Sequence, residues 1–158
     1  MEARFRIRKA LDADWPSVSG LLAACGLPTS GIEQHLAEGY IVAADGDRPI
    51  GVAGIETHGG SGLLRSVAVL PVWRGRSVGR QLVRDRLAWA QEAGLTDVYL
   101  LTTDAAGYFE QLGFSRVDRD AVPDGIRTSD EFASLCPKSA TVMALRGGKG
   151  LDRTRVQC

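Results

Sequence analysis

The run RSVAVLPVWRGRSVGRQLVRDRLAWAQEAG, Arg65 to Gly94, constrains the fold more than any other stretch of this chain. It starts as an apolar strand, is closed by Pro71, crosses a turn rich in arginine and glycine, and enters a helix. In that helix Val78, Leu82, Val83, Leu87 and Ala90 recur at helical spacing, and Gly94 ends it. A strand feeding an amphipathic helix through a tight turn belongs to α/β or α+β architecture. Five arginines, Arg65, Arg74, Arg76, Arg80 and Arg84, gather around the start of the helix. A helix amino terminus presents free N–H groups and a partial positive charge, so this composition points to an anion, most often a phosphate. The loop Arg74-Gly75-Arg76-Ser77-Val78-Gly79 is too short for a P-loop and lacks its lysine, and it is not the GxGxxG turn of dinucleotide folds.

The rest of the chain supplies the other elements. Phe5 and Ile7 alternate with arginines in a first strand. Asp12 or Asp14 can cap a helix that carries Pro16 in its first turn and Val18, Leu21 and Leu22 on its apolar stripe, with Gly26 at its end. Ser30 and Glu33 have capping-box spacing, predicting a short helix over Ile32–Leu36 that Gly39 stops. Two strands, Tyr40–Ala44 and Ile50–Ile55, flank a hairpin signal at 45–49, and 57–62 reads as a flexible glycine-rich connection before a strand over Leu63–Leu70. A strand over Val98–Thr102, a helix over Ala105–Leu112, a strand over Phe114–Val117, a capping box at Thr128 and Glu131, and a last strand over Thr141–Leu145 follow. One domain over residues 1–145 is expected, with 146–158 as a flexible tail.

Composition excludes several classes of function. Nineteen basic and nineteen acidic side chains cancel, so no global field draws nucleic acid or an anionic membrane. No apolar run is long enough to span a bilayer. Three scattered cysteines, Cys25, Cys136 and Cys158, with two histidines give neither a disulfide framework nor a zinc site, so no metal is expected and a reducing cytoplasm fits.

SVAVLPVWRGRSVGRQLV, followed about thirty residues later by YFEQLGF, resembles the GCN5-related N-acetyltransferase (GNAT) superfamily. The resemblance covers roughly residues 4 to 145. It implies a mixed, mostly antiparallel seven-stranded sheet, splayed between the fourth and fifth strands, with helices on both faces. It also implies acetyl-coenzyme A as cosubstrate. Arg74, Ser77 and Gly79 fall at the family's pyrophosphate signature, with Gly75 beside them and the amides of Arg76, Val78 and Arg80 joining the cradle. Ser77 stands where a glycine is usual and cannot take positive φ cheaply. Pantetheine would run along Val67, Ala68 and Val69, the Val67 N–H facing the thioester oxygen, with Thr103 touching the cofactor from the following strand.

The segments LPTSGIEQHL, GVAGIE, GLLRSVAV and EFASLCPKSATVM are similar to the GNAT branch named for arsenic-resistance operons. That likeness implies a detoxification enzyme whose acceptor is a small amino-acid-like amine, such as an arsenic- or phosphinate-containing glutamate analogue. The family's usual catalytic glutamate and tyrosine are missing, the tyrosine position being Phe109 with Tyr108 beside it. Glu56 is the leading candidate base, directly or through water, although the same residue reads equally well as a solvated strand end. His58 in the glycine-rich turn reads first as an exposed loop histidine. Arg65 and Arg127, with Ser66, could hold an anionic acceptor bidentately. Sixteen of the nineteen basic residues are arginine, so each alone says little. Cys136 could line the acceptor pocket or give a proton to the leaving thiolate, or be a buried small hydrophobe. The expected partner is a small-molecule amine, without nucleic acid or membrane, and with a homodimer left open. Two alternatives stay open: a catalytically weak GNAT-fold module sensing coenzyme A or an arsenical, and a protein or aminoglycoside acetyltransferase.

Overall fold

The computed structural model describes residues 4–129, 132 and 139–146. In chain order the elements are β1 (Arg6–Lys9), α1 (Trp15–Ala24), α2 (Leu36–Gly39), β2 (Tyr40–Asp45), β3 (Arg48–His58), β4 (Ser61–Val69), α3 (Val78–Glu92), β5 (Asp97–Thr102), α4 (Ala106–Gln111), β6 (Ser115–Arg116), α5 (Asp124–Arg127) and β7 (Thr141–Arg146). The seven strands form one sheet in the order β1-β2-β3-β4-β5-β7-β6. β1 pairs antiparallel with β2, β2 with β3, β5 with β7, and β6 with β7. β4 and β5 run parallel, joined by three residue pairs from Ser61↔Asp97 to Leu63↔Tyr99, although β4 has nine residues and β5 six. This seven-stranded, mostly antiparallel sheet with one parallel pair is the architecture that the family resemblance implied.

The described residues fall into two compact units, one drawn from 1–55 and 66–86, the other from 56–65 and 87–158. In the first, strand alternation sorts side chains onto two faces. Tyr40, Val42, Val52 and Ala68 pack with Val18, Leu21 and Leu22 of α1, while Ile41, Ala43, Ile50 and Ala53 pack with Val78 and Leu82 of α3. The register slips between Ala43↔Gly51 and Ala44↔Pro49, so Ile50 is the extra residue of a bulge. In the second unit Leu63, Tyr99, Val142 and Ala144 of the sheet pack with Val122, Ile126 and Phe132.

Several local expectations differ from what forms. Residues 57–62 are not a flexible connection: β3 continues to His58, β4 begins at Ser61, and a two-residue turn joins them. Gly59 has φ +65°, at the first turn position, where a tight hairpin needs a left-handed residue. Asp14 precedes α1 but does not cap it. Its carboxylate accepts two bonds from the Arg8 guanidinium, at 2.8 and 2.9 Å, and one from the Leu11 N–H at 2.8 Å. The Ser30–Glu33 box is replaced by a 3-10 turn over Glu33–His35 that starts after Ile32 and runs into α2. Thr128 closes α5, its hydroxyl donating to the Asp124 carbonyl at 2.9 Å. Glu131 and residues 133–135 lie outside the described residues.

Candidate active site

The turn leading into α3 belongs to the first unit. A 3-10 turn over Pro71–Trp73 follows β4, Arg74 is extended, and two left-handed residues come next, Gly75 with φ +79° and Ser77 with φ +65°. Left-handed residues this close together can turn successive N–H groups toward one point, as in an anion-binding nest. The Gln81 N–H turns back to the Ser77 carbonyl at 3.1 Å, leaving the amides of Val78, Gly79 and Arg80 without acceptors inside the helix. Val78 is buried and pins the helix start to the core, so the turn is held on a packed base.

The arginines of this turn are arranged rather than scattered. Arg76 lies over the Trp73 ring, 5.2 Å from its centroid, and Trp73 meets Phe5 edge-on. Arg74 folds back on the strand before it, its Nε donating to the Val69 carbonyl at 3.1 Å and its Nη2 to Cys25 Sγ at 3.5 Å. Val67 and Val69 are half-buried toward the α3 face, and Ala68 is buried toward the α1 face. Arg80 and Arg84 are exposed. Ser66, at the start of this strand segment, is 8% exposed with φ +60°, a left-handed break inside β4.

In the second unit the β3–β4 hairpin assembles a line of three charged or titratable groups. Glu56 and His58 are two apart on β3 and share a face, and the tight turn brings Arg65 of β4 back beside them. Arg65 Nη1 donates to Glu56 Oε2 at 2.8 Å, and His58 Nε2 lies 3.0 Å from Glu56 Oε1. The side chains grade outward, Arg65 at 3% exposed, Glu56 at 23% and His58 at 25%. Burial pushes the Glu56 carboxyl up, but the hydrogen bonds from His58 and Arg65 and the Arg65 charge outweigh it and hold the group below its ordinary value. Both carboxylate oxygens are therefore engaged, and the group stays ionised. Gly125 of α5 stands against this line: a Cβ built there would touch the His58 Cβ at 3.4 Å.

The remaining candidates are spread out. Tyr108 is 41% exposed and meets the neighbouring Phe109 ring edge-on at 5.2 Å, while Phe109 is buried against Phe114. Thr103 is exposed just beyond β5, and the Thr102 hydroxyl accepts from the Ala105 N–H at 3.0 Å, serving the turn into α4. Arg127 is exposed and ion-paired with Asp124 of the same helix. Cys136 and Cys158 lie outside the described residues. Among the described residues no group of acidic, histidine or cysteine side chains has the arrangement of a metal site, and no helix is long and apolar enough to cross a membrane. His58, expected in a loop, ends β3 instead. The signal was its i+2 spacing from Glu56 on a strand, hidden because 57–62 read as a loop.

Comparison with known proteins extends these observations. The model of the Acetyltransferase (GNAT) domain matches residues 37–116, half of the chain. An uncharacterized N-acetyltransferase of Chlorobaculum tepidum is 32% identical over 75 residues, 48% of this chain and 46% of that protein. An amino-acid acetyltransferase of Escherichia coli K12 is 36% identical over 83 residues, 52% of this chain and 18% of that protein. The chain thus spans under half the length of these relatives. Among solved structures, N-acetylglutamate synthase of Neisseria gonorrhoeae, complexed with coenzyme A and N-acetyl-glutamate, superposes with a TM-score of 0.79 at 22% identity, over 92% of this chain and 36% of that one. Rv2747 of Mycobacterium tuberculosis, in complex with CoA, gives 0.77 at 21% identity, over 89% of this chain and 98% of that one. The matched segment contains β2 to β6, and with them both the α3 turn and the Glu56 line, and it places this chain in the GNAT family of acetyl-coenzyme A-dependent acetyltransferases.

Proposed function

We propose that residues 1–145 form an N-acetyltransferase domain that moves the acetyl group of acetyl-coenzyme A to the amine of a small amino-acid-like acceptor. One observation carries the reading: the turn into α3, with Gly75 and Ser77 left-handed and the amides of Val78, Gly79 and Arg80 open, has the form of a diphosphate cradle. Arg76 and Arg80 add charge at its rim, and Arg74 reaches the phosphates once it leaves the Val69 carbonyl. Val67 to Val69 receive the pantetheine arm, the Val67 N–H facing the developing oxyanion, and Thr103 contacts the cofactor from beyond β5. Orientation of amine and thioester supplies much of the rate.

An acidic amino acid is the favoured acceptor class. The similarity to an amino-acid acetyltransferase and to an enzyme complexed with N-acetyl-glutamate supports it, and Arg127, exposed at the end of α5, would meet an acceptor carboxylate by exchanging Asp124 for it. The likeness of four segments to the arsenic-resistance branch extends this class to glutamate analogues bearing arsenic or phosphinate, with Cys136 as a candidate thiol for such an acceptor, in a cytoplasmic detoxification enzyme. Ser66 and Tyr108 are further acceptor-side candidates. Calorimetry with coenzyme A and thiol release from acetyl-coenzyme A with glutamate, glutamine, these analogues and an aminoglycoside test the reading. Micromolar cofactor binding with turnover of an acidic amino acid is expected. No binding at millimolar coenzyme A rejects the reading.

A second reading follows from Glu56. Its oxygens are both engaged, and Phe109 stands buried where the family's tyrosine is usual, which suits a module that binds coenzyme A without turnover. Tight binding with no product from any amine would select that reading over the enzyme.

A further inference from the structure

We infer that His58, not Glu56, takes the proton from the acceptor's ammonium group, and that Glu56 is a positioning residue fixing the imidazole against the buried Arg65. This rests on the N-acetyltransferase reading and names the group that makes the amine reactive. The geometry carries it. Glu56 accepts from Arg65 Nη1 at 2.8 Å through one oxygen and faces His58 Nε2 at 3.0 Å through the other. An ionised carboxylate can only accept, so Nε2 bears the hydrogen and Nδ1 bears the lone pair of the neutral ring. Among the described residues Nδ1 has no hydrogen-bond partner. Arg65, 3% exposed, holds one Glu56 oxygen from the buried side, while His58 meets the other oxygen at the outer end.

The surroundings favour this assignment. Gly125 of α5 lies against the His58 backbone and Cβ, where an added Cβ would come within 3.4 Å of the His58 Cβ. The charged residues of that helix, Asp124 and Arg127, are paired with each other, and the charges facing His58 from β3 and β4 are Glu56 and Arg65. The step balances as follows. The ammonium gives one proton to Nδ1, and the amine lone pair forms the C–N bond at the thioester carbon. The C–S bond then breaks, its electron pair leaving on the coenzyme A sulfur. That thiolate takes the second nitrogen proton, directly or through water, and imidazolium returns its proton to solvent. Glu56 stays ionised throughout and holds the ring in one tautomer.

Two measurements on the full chain test this. Long-range nitrogen–proton NMR of the two histidines, His35 and His58, should show His58 as the Nε2–H tautomer, and Glu56→Gln should lose that preference. An Nδ1–H tautomer in the unmodified protein overturns the inference. With acetyl-coenzyme A and L-glutamate, or the best amine of the panel above, His58→Gln should lower kcat/KM about 100-fold at neutral pH. It should remove the acidic limb of the pH profile and leave the calorimetric Kd for coenzyme A unchanged. Added imidazole should restore part of the activity of His58→Ala. A retained acidic limb, or a loss under fivefold, overturns the assignment while leaving the acetyltransferase reading intact. Absence of turnover by the unmodified protein on every amine rejects that reading, and the proton transfer falls with it.

Discussion

At the scale of single residues the chain places serine twice where backbone geometry favours glycine. Ser66 and Ser77 take φ +60° and +65°. The sequence identified Ser77 as a departure from the family signature and implied that positive φ would be costly there. The structure shows the serine in that conformation nonetheless, because Val78 on its far side is anchored in the core. A left-handed non-glycine residue stores on the order of 1 kcal/mol, part of which glycine would return as unfolded-state entropy. Ser77→Gly should therefore be neutral to stabilising by up to about 1 kcal/mol in urea unfolding, and Ser77→Val should destabilise by about 1 kcal/mol or more. Equal stability of the valine variant would contradict the left-handed geometry, and with it the nest. Glu56, His58 and Arg65 were each legible as candidates, but their line was not. Which partner a surface-type residue meets depends on a turn that single-residue reasoning had left open.

Elements were most legible where one periodicity persisted. β2, α3 and β5 follow their apolar patterns, whereas α2 and α5, at four residues each, carry too little pattern to show. The capping signals at Ser30 and Asp14 also misled, since serine and aspartate serve turns and ion pairs as readily as helix starts. Glycines, read as punctuation, prove to have packing roles. Gly54 sits opposite Tyr40 in the β2–β3 ladder, and a Cβ there would come within 2.2 Å of the Tyr40 ring. Tyr40 is 2% exposed, so Gly54→Ala should cost about 1–3 kcal/mol, as overpacking does. Gly60→Ala, with nothing within 4 Å of the added carbon, should stay within about 0.5 kcal/mol. Chemical denaturation of the two variants side by side checks the contrast. Similar midpoints would mean that the tyrosine does not pack over β3 as described.

At the scale of the whole molecule, net neutrality hides two carboxylates whose ionisation is tied to folding, one in each compact unit. Asp14 is drawn below its ordinary value chiefly by the hydrogen bonds from Arg8, against an opposing push from burial. Glu56 is pushed up by burial but drawn below its ordinary value on balance by His58 and Arg65. For a depressed carboxyl the sign is fixed: the unfolded chain binds the proton more readily, so protonation favours unfolding. The stability each contributes is fully present above the unfolded values, 3.8 for Asp14 and 4.5 for Glu56, and is lost as pH falls through the lower folded values. The urea midpoint of the protein should thus be nearly level from about pH 7 to about pH 5 and fall steeply below about pH 4. Asp14→Asn and Glu56→Gln should each begin lower at neutral pH. The glutamine variant should lose about 1–3 kcal/mol, because it replaces the charged partner of the buried Arg65 guanidinium with a neutral one. Each should also decline less steeply in acid, since its share of the proton linkage is gone. Midpoints that run parallel to those of the unmodified protein down to about pH 2.5 would show that neither carboxylate carries linkage. The Glu56 result bears on chemistry as well as stability, for a carboxylate that remains ionised well into acid positions a neighbouring imidazole better than it removes a proton itself.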